Sequence, residues 1–292
     1  MALDYDNNPD YRGFSQSSGS VEYLVGPAWV GTHAGTAGLA LFESDSDSQE
    51  FDIGHLPYAM RLDFAKDLRD PQVRDILSPS RFAQLMSQRG VSVEDTVVTY
   101  GDRHNVWGCF AAWILSYYGH PDVRLLDGGR DAWVSAEREL VFYVPQPAPT
   151  VYPEPTGTDA SIRATVADVV AAMEAGSAVL VDVRSEAAYA GDVEEPGAVV
   201  HGHIPGAINL PGTLNVQPSG FFQPPAVLAR TYRELDPDSE IIVYSGMGAT
   251  AAQTWFVLSR LLGFCNVRLY DGSWTEWGNM VGMPVVVGST PE

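Results

Sequence analysis

The fold of this chain is decided by the stretch Ile241-Ile242-Val243-Tyr244-Ser245-Gly246-Met247-Gly248-Ala249-Thr250. An apolar, largely β-branched run leads into a loop of small residues, and a helix-like segment from Ala251 to Leu262 follows. The pattern predicts a strand that places Ser245 at the start of a loop lined with backbone N–H groups, which we call the cradle. Glycines allow these groups to turn inward, and the helix N-terminus adds its positive dipole end. Such a loop favours a bound anion or a developing negative charge.

Length and charge limit the classes of protein to consider. The 292 residues suffice for two domains with separate cores. A formal net charge of -20, from 37 acidic and 17 basic residues, makes nucleic acid and anionic membranes poor partners. No apolar run approaches the about 18 residues that span a bilayer. Residues 1–20 lack the basic and apolar regions of a signal peptide, and we predict a disordered lead-in there.

The two cysteines, Cys109 and Cys265, are too few for a disulfide framework and do not have metal-ligand spacing. We therefore expect neither metal nor cofactor, and a reducing cytoplasm as the compartment. Cys109 lies among aromatic residues of a predicted helix, which is typical of a buried structural thiol.

The second half of the chain repeats the first. One offset of 144 residues relates 95–100 to 239–244, 119–128 to 263–272, and Trp133 to Trp277. Upstream, 54–59 pairs with 202–207 at an offset of 148. The chain is therefore predicted to be two copies of one domain. This arrangement is typical of a pseudo-dimeric monomer, and a homodimer stays open.

Five prolines in residues 144–155 separate the copies. They exclude a helix or a central strand and predict an extended, stiff linker. We therefore place the first domain at 21–143, the linker at 144–160 and the second domain at 161–292.

Short apolar strands alternate with amphipathic segments inside each copy. In the second copy we predict strands at 178–181, 207–210, 241–244 and 267–270, and helices at 165–174, 226–235, 250–262 and 273–277. This alternation predicts an α/β fold, with a mostly parallel sheet covered by helices on both faces. Ligands of such sheets gather at the carboxyl ends of the strands, where Ser245 lies.

Several segments together resemble the tandem rhodaneses, which are thiosulfate or 3-mercaptopyruvate sulfurtransferases. The matching segments are 54–57, 117–120, 126–130, 182–184, 202–207 and 270–274. The resemblance implies two rhodanese-like domains, the first catalytically silent and the second carrying the reactive loop. It also implies a small anionic substrate that donates sulfur, and a thiol or cyanide that accepts it.

The family's chemistry uses a cysteine at the first loop position, where this chain has Ser245. The cysteine thiolate attacks the outer sulfur of the donor and holds it as a persulfide. A serine hydroxyl has a far higher pKa and cannot form a persulfide. The resemblance assigns catalysis to Ser245, His55 and Asp182. It assigns substrate binding to Gly246, Met247, Gly248, Ala249, Thr250, Arg184 and Trp29.

Three further positions depart from the family pattern. Family members carry arginines after the Asp-x-Arg segment, whereas this chain has Ala188 and Gly197, and the third loop position is Met247. These residues make the predicted pocket less cationic and more apolar. A Cys→Ser exchange alone does not account for them.

Several candidates have two interpretations. His55 either assists proton transfer, oriented by Asp45, Asp47 or Asp52, or closes a turn as His203 does in the other copy. Arg184 either binds the ligand or pairs with Asp182. Trp29 either lines the entrance or packs in the core.

The remaining polar and aromatic candidates are assigned more simply. His104 and Asn105 are either functional or solvated. We expect Trp274 and Trp277 to pack under the loop.

Two functional hypotheses follow. The first is a sulfurtransferase whose nucleophile position is occupied by Ser245. The second is a repurposed family member that uses the loop as an oxyanion or anion site, for another reaction or for binding a partner. Under the first hypothesis we predict that the chain as written does not turn over thiosulfate or mercaptopyruvate.

Overall fold

The computed structural model describes residues 23–46 and 48–291. The predicted lead-in at 1–20 and Asp47 lie outside these residues. The chain divides into two units, the first ending at Asp159 and including Val216–Pro225, and the second holding Ala160–Asn215 and the residues from Ala226 onward. Each unit is described by itself.

The first unit is an α/β unit built on a five-stranded sheet. Its strands are β1 (Leu24–Val25), β2 (Leu39–Asp45), β3 (Ala59–Asp63), β4 (Thr96–Tyr100) and β5 (Val123–Leu126). Its helices are α1 (Pro27–His33), α2 (Ser48–Asp52), α3 (Pro79–Gln88), α4 (Val106–Tyr117) and α5 (Gly129–Ser135). The strand order is β1-β5-β4-β2-β3, and every pair is parallel.

The second unit has the same order of elements. Its strands are β6 (Arg163–Ala164), β7 (Val179–Asp182), β8 (Ile208–Asn209), β9 (Ile241–Tyr244) and β10 (Val267–Tyr270). Its helices are α6 (Val166–Ala175), α7 (Glu186–Ala190), α8 (Pro225–Thr231, whose first residue belongs to the first unit), α9 (Ala249–Phe256) and α10 (Ser273–Trp277). All pairs are parallel, and the order β6-β10-β9-β7-β8 repeats the order of the first sheet. The predicted α/β fold with parallel sheets is confirmed.

The central strands explain why these sheets are covered on both faces. All four residues of β9 are buried, so the strand reads as an uninterrupted apolar run rather than an alternating one. Burying such a strand stabilises the sheet by about 2 kcal/mol for each large apolar side chain. Trp274 and Trp277 lie in the core beside β9, in agreement with their predicted packing role.

Equivalent contacts recur in the two units. The main chain of His55 pairs with Val141 in an antiparallel bridge, and His203 pairs with Val286 in the same way. The hydroxyl of Tyr100 accepts a hydrogen bond from the Leu56 amide, and that of Tyr244 accepts one from the Ile204 amide. The predicted duplication therefore extends to individual hydrogen bonds.

Two predicted segments differ from the structure. The helix predicted at 250–262 ends as an α-helix at Phe256 and continues as a π-helical turn, Val257–Leu261. The helix predicted at 226–235 is the shorter α8. Periodicity reports which residues are apolar but not which carbonyl accepts each amide, so it does not reveal a π turn.

The proline-rich linker contains neither helix nor strand over 144–159, and it is not free of the first unit. The Thr150 and Tyr152 amides donate to the Ser87 carbonyl and hydroxyl oxygens, and the Tyr152 hydroxyl meets His120 Nδ1 at 2.8 Å. Tyr152 is buried. Side-chain packing therefore anchors a segment that composition alone describes as a spacer.

Candidate functional site

The loop after β9 holds Ser245 at the carboxyl end of the second sheet. Ser245 is only 2% exposed, and its Oγ accepts a hydrogen bond from the Gly248 amide at 3.0 Å. Gly248 has φ +96°, a left-handed conformation that a residue with a Cβ rarely adopts. The glycine thus lets the chain turn sharply enough to begin α9 at Ala249, and the first amides of that helix have no intrahelical acceptor.

Side chains and backbone behind the loop hold it in place. The Ser245 amide donates to Ser273 Oγ at 3.1 Å, and that hydroxyl donates to the Tyr270 carbonyl at 2.8 Å. The Ser245 and Gly246 carbonyls accept from the first amides of α10, Trp274 and Thr275. These hydrogen bonds from residues 273–275 therefore hold the main chain of the loop in place.

The predicted loop residues differ in exposure. Gly246, Gly248 and Ala249 are buried, whereas Met247 is 44% exposed. Thr250 packs its methyl group against Gly212. The exposed end of the loop therefore presents a thioether where a basic or hydroxyl group was expected from the family pattern.

Arg184 is held as the partner of Asp182, at the end of β7. Its Nε lies 3.0 Å from both carboxylate oxygens, and its Nη2 donates to Asp182 Oδ2 at 2.5 Å and to the Gly202 carbonyl at 2.7 Å. Its guanidinium lies 4.5 Å above the ring of Trp274. Burial lowers the pKa of Arg184, but the hydrogen bonds and charge of Asp182 outweigh burial and leave the pKa raised. The pair interpretation of Arg184 is the one that these contacts support.

Glu195 is a site residue that the sequence reasoning missed. Its carboxylate packs against Gly246, so that a Cβ added there would collide with Oε1 and lie 2.7 Å from Cδ. Glu195 Oε2 lies 3.9 Å from Arg184 Nη1. Burial raises the pKa of Glu195, the charge of Arg184 opposes this, and Asp182 adds to it. The signal in the sequence was an acidic residue in a segment where arginines were expected.

His55 and Trp29 belong to the first unit. His55 is 1% exposed and stacks on Phe51, and its two ring nitrogens lie 3.0 and 2.8 Å from the Phe51 and Tyr143 carbonyl oxygens. His203 stacks on Tyr189 in the same way, which favours the turn-closing interpretation of both histidines. The catalytic role of His55 stays a prediction.

Trp29 is half-buried and stacks on His33, with ring centroids 4.2 Å apart. It also packs against the core of the first unit. The contacts within that unit fit the core interpretation of Trp29.

An acidic cluster replaces the Asp–Arg pair in the first unit, and we define it as Glu43, Asp45 and Asp102. Glu43 accepts hydrogen bonds from the Tyr100 hydroxyl and, at 2.7 Å, from Arg130. Asp45 Oδ1 accepts the Asp102 amide at 3.2 Å. Burial and the neighbouring charge of Glu43 raise the pKa of Asp45 to about 9. The raised pKa favours the protonated form of Asp45 at neutral pH.

The acidic cluster lies beside the loop after β4. A side chain of that loop, Asn105, forms hydrogen bonds across it. Asn105, predicted as functional or solvated, is instead 1% exposed. Its Oδ1 accepts the Gly101 amide at 2.8 Å, and its Nδ2 donates to the Leu126 carbonyl at 2.7 Å. His104 is exposed. The Asn105 side chain therefore joins the start of this loop to the end of β5.

The cysteines and the charged groups add no further centre within the described residues. Cys109 is buried in α4, where burial raises its pKa well above the usual value, and Cys265 is exposed. Over 23–46 and 48–291, no group of three or more His, Cys, Asp or Glu side chains could hold a metal ion. No described helix is long and apolar enough to cross a membrane.

Comparison with known proteins gives one consistent set of relatives. The chain is similar to a thiosulfate sulfurtransferase of Corynebacterium glutamicum, with 44% identity over 99% of this chain and 97% of that protein. It is 43% identical to the putative thiosulfate sulfurtransferase SseA of Mycobacterium tuberculosis, covering 100% of this chain and 98% of that protein. It is 42% identical to the sulfur carrier protein TtuD of Thermus thermophilus, covering 91% and 97%.

Solved structures and a family model agree with these relatives on the fold. An anaerobic ergothioneine biosynthesis enzyme from Chlorobium limicola superposes with a TM-score of 0.80 over 91% of this chain and 70% of that chain. At 23% identity this likeness concerns the fold alone. The model of the Rhodanese-like domain matches twice, at residues 27–136 and 165–280. The chain therefore belongs to the rhodanese family, as a tandem of two rhodanese-like domains.

Proposed function

We propose that this chain is a sulfurtransferase-type rhodanese whose second unit binds a small sulfur-containing anion, and that Ser245 prevents it from completing sulfur transfer. Relatives named thiosulfate sulfurtransferase, which are 43–44% identical over nearly the full chain, support the first part. The single observation that carries the second part is the placement of Ser245 at the end of β9, with its Oγ inside the loop and bound to the Gly248 amide.

The chemistry of the loop explains the proposed block. A thiolate at position 245 would attack the outer sulfur of thiosulfate, forming an S–S bond while the S–S bond of the donor breaks and sulfite leaves with the electron pair. An acceptor such as cyanide would then take the sulfur and return the thiolate. A hydroxyl at that position is protonated at neutral pH, and its oxygen forms no persulfide. The loop amides and the α9 dipole would still stabilise an anion.

The decisive experiment compares the chain with a Ser245→Cys variant. Both proteins should carry Cys265→Ser, because Cys265 is exposed and would add its own thiol chemistry. We expect no thiocyanate from thiosulfate and cyanide with Ser245. With Ser245→Cys we expect turnover and, without acceptor, a mass increase of one sulfur atom.

A Ser245→Ala variant is the matched control and should remain inactive. Cyanide-dependent thiocyanate formation by the Ser245 protein would contradict the proposal.

The second candidate function is anion or partner binding without sulfur transfer. It is favoured by the charge of the loop surroundings, since Arg184 is committed to Asp182, while Ala188 and Gly197 supply no further cations. If Ser245→Cys folds, binds thiosulfate and forms no persulfide, this second function replaces the first.

A further inference from the structure

The side chain of Glu195 lies over the candidate loop. Its carboxylate occupies the space into which a side chain at position 246 would project. Residues 191–200 form an irregular segment that carries Glu195, and hydrogen bonds join this segment to α10 and to the second residue after it. The Val199 amide donates to Asn279 Oδ1 at 2.9 Å, and Trp274 Nε1 donates to the Val200 carbonyl at 3.0 Å. The position of Glu195 is therefore set by the same helix that supports the loop.

The cation nearest to Glu195 is already neutralised. Arg184 shares two of its nitrogens with the Asp182 carboxylate and only its Nη1 faces Glu195, at 3.9 Å. Since the Asp182–Arg184 pair has no net charge, an ionised Glu195 leaves the edge of the loop with an excess negative charge. A like charge at this position opposes an incoming anion, and more strongly for a dianion than for a monoanion.

We propose that Glu195 determines the specificity of the loop, because its carboxylate lies against Gly246 of the loop and selects monoanionic ligands over dianions such as thiosulfate. This inference rests on the proposed function for the identity of the site. It deepens that function by naming the charge class of the ligand. Glu195 is a specificity residue and takes no part in bond making.

The test measures binding, so it does not depend on turnover. Isothermal titration calorimetry would compare thiosulfate, a dianion, with 3-mercaptopyruvate, which has one carboxylate, for the unchanged protein, Glu195→Gln and Glu194→Gln. Glu195→Gln keeps the shape of the side chain and removes its charge. Glu194→Gln removes the same charge from an exposed neighbouring position and controls for the general field.

We expect Glu195→Gln to bind thiosulfate about tenfold more tightly and 3-mercaptopyruvate about threefold more tightly, because the penalty scales with ligand charge. Glu194→Gln should change either constant by less than about twofold, as expected for a screened surface charge. A purely structural role for Glu195 would shift both ligands equally. Equal gains, a gain no larger than with Glu194→Gln, or no thiosulfate binding by any variant would overturn the inference.

A second measurement uses the unchanged protein and avoids any folding defect of a variant. The groups that face Glu195 are Arg184 and Asp182. Because burial raises the pKa of Glu195, lowering the pH through that pKa neutralises the carboxylate and should tighten thiosulfate binding. The dependence should vanish in Glu195→Gln. Failure of Ser245→Cys to transfer sulfur would reject the proposed function. The difference between the affinities for thiosulfate and 3-mercaptopyruvate would still test the role of Glu195.

Discussion

The loops after β4 and β9 differ in the side chain that binds their first amide. In each unit, a side chain bridges the first loop amide and the carbonyl at the end of the neighbouring strand. In the first unit the bridge is Asn105, which belongs to the loop, and in the second it is Ser273, which follows β10. The Asn105 side chain therefore occupies the interior of the first loop, whereas the Ser245 hydroxyl lies inside the second loop.

The two units also differ in the residue at the first loop position, which is Gly101 in the first unit and Ser245 in the second. Ser245 has room for its side chain, but a Cβ at Gly101 would collide with the Ser44 carbonyl and lie 3.0 Å from the Gly108 nitrogen. No nucleophile of any kind fits at Gly101 without moving the main chain. Packing therefore leaves no room for a side chain at the first loop position of the first unit, whereas the second unit holds the Ser245 side chain there.

The largest effect is expected for Gly101→Ser. Backbone atoms cannot yield as a flexible side chain can, so the free energy of unfolding should fall by about 3 kcal/mol or more. The matched change Ser245→Gly removes one hydrogen-bonded hydroxyl and should cost about 1 kcal/mol. Urea unfolding followed by tryptophan fluorescence measures both. Equal losses of unfolding free energy in the two variants would contradict a difference in packing between positions 101 and 245.

Asn105→Gly tests the closing bridge. Glycine keeps the left-handed backbone of residue 105, at φ +68°, but leaves the Gly101 amide and the Leu126 carbonyl unpaired. Two buried unpaired groups should reduce the free energy of unfolding by about 2 to 3 kcal/mol. Asn105→Asp, which keeps only the acceptor, should lose a different amount. Hydrogen exchange at Gly101 would show whether the amide has become exposed, and unchanged protection would contradict the bridge.

Asp45→Asn tests the acidic cluster through pH. The folded-state pKa of Asp45 is raised from 3.8 to about 9, so the folded state binds a proton that the unfolded state releases. Stability of the unchanged protein should therefore fall as pH rises between these values. Asparagine imitates the protonated acid, so the variant should match the unchanged protein near pH 4 and exceed it by at least about 2 kcal/mol at pH 8. Thermal unfolding at several pH values would measure this. A parallel offset at every pH would show that Asp45 does not carry the proton.

Ser273→Gly should have the smallest effect. The change removes the outer bridge, at a cost of about 1 kcal/mol, but relieves the left-handed backbone of residue 273, at φ +54°. The equivalent residue in the first unit, Gly129, has φ +55°. Ser273→Ala loses the same bridge without that relief and should be the less stable variant. The reverse order in melting temperature would contradict the strain argument.

The duplicated sequence predicted much of the fold because its repeats preserve contacts. The offsets that relate His55 to His203 and Tyr100 to Tyr244 also relate their hydrogen bonds. The bounds of β9, β10 and α10 agree with the prediction, since polar residues flank the two apolar strands and glycines flank the helix. Two elements were predicted less well: the π turn at 257–261, because helical periodicity does not distinguish it, and the attachment of the linker through Tyr152.

The sequence predicted only those features of the site that depend on residues close to one another in the chain. The turn of the loop into α9 was predicted from the glycines and the helix pattern that adjoin Ser245. Glu195 lies 50 positions upstream of Ser245 in the chain, as the numbering shows, and its contact with Gly246 depends on how α10 holds an irregular segment. No periodicity or motif encodes such a contact, so the residue was missed.

The π turn has a consequence for aligning the two halves. From Tyr100 to the start of α4 the loop has five residues, 101–105, whereas from Tyr244 to the start of α9 it has four, 245–248. Both halves nevertheless reach Gly119 and Gly263 at the same offset, so the second helical segment contains one residue more, and the wider turn at 257–261 accommodates it. A constant offset pairs Asn105 with Ala249, a loop residue with a helical one. The correct alignment needs a gap in the loop and an insertion in the helix, and the loop of the second unit is the shorter of the two.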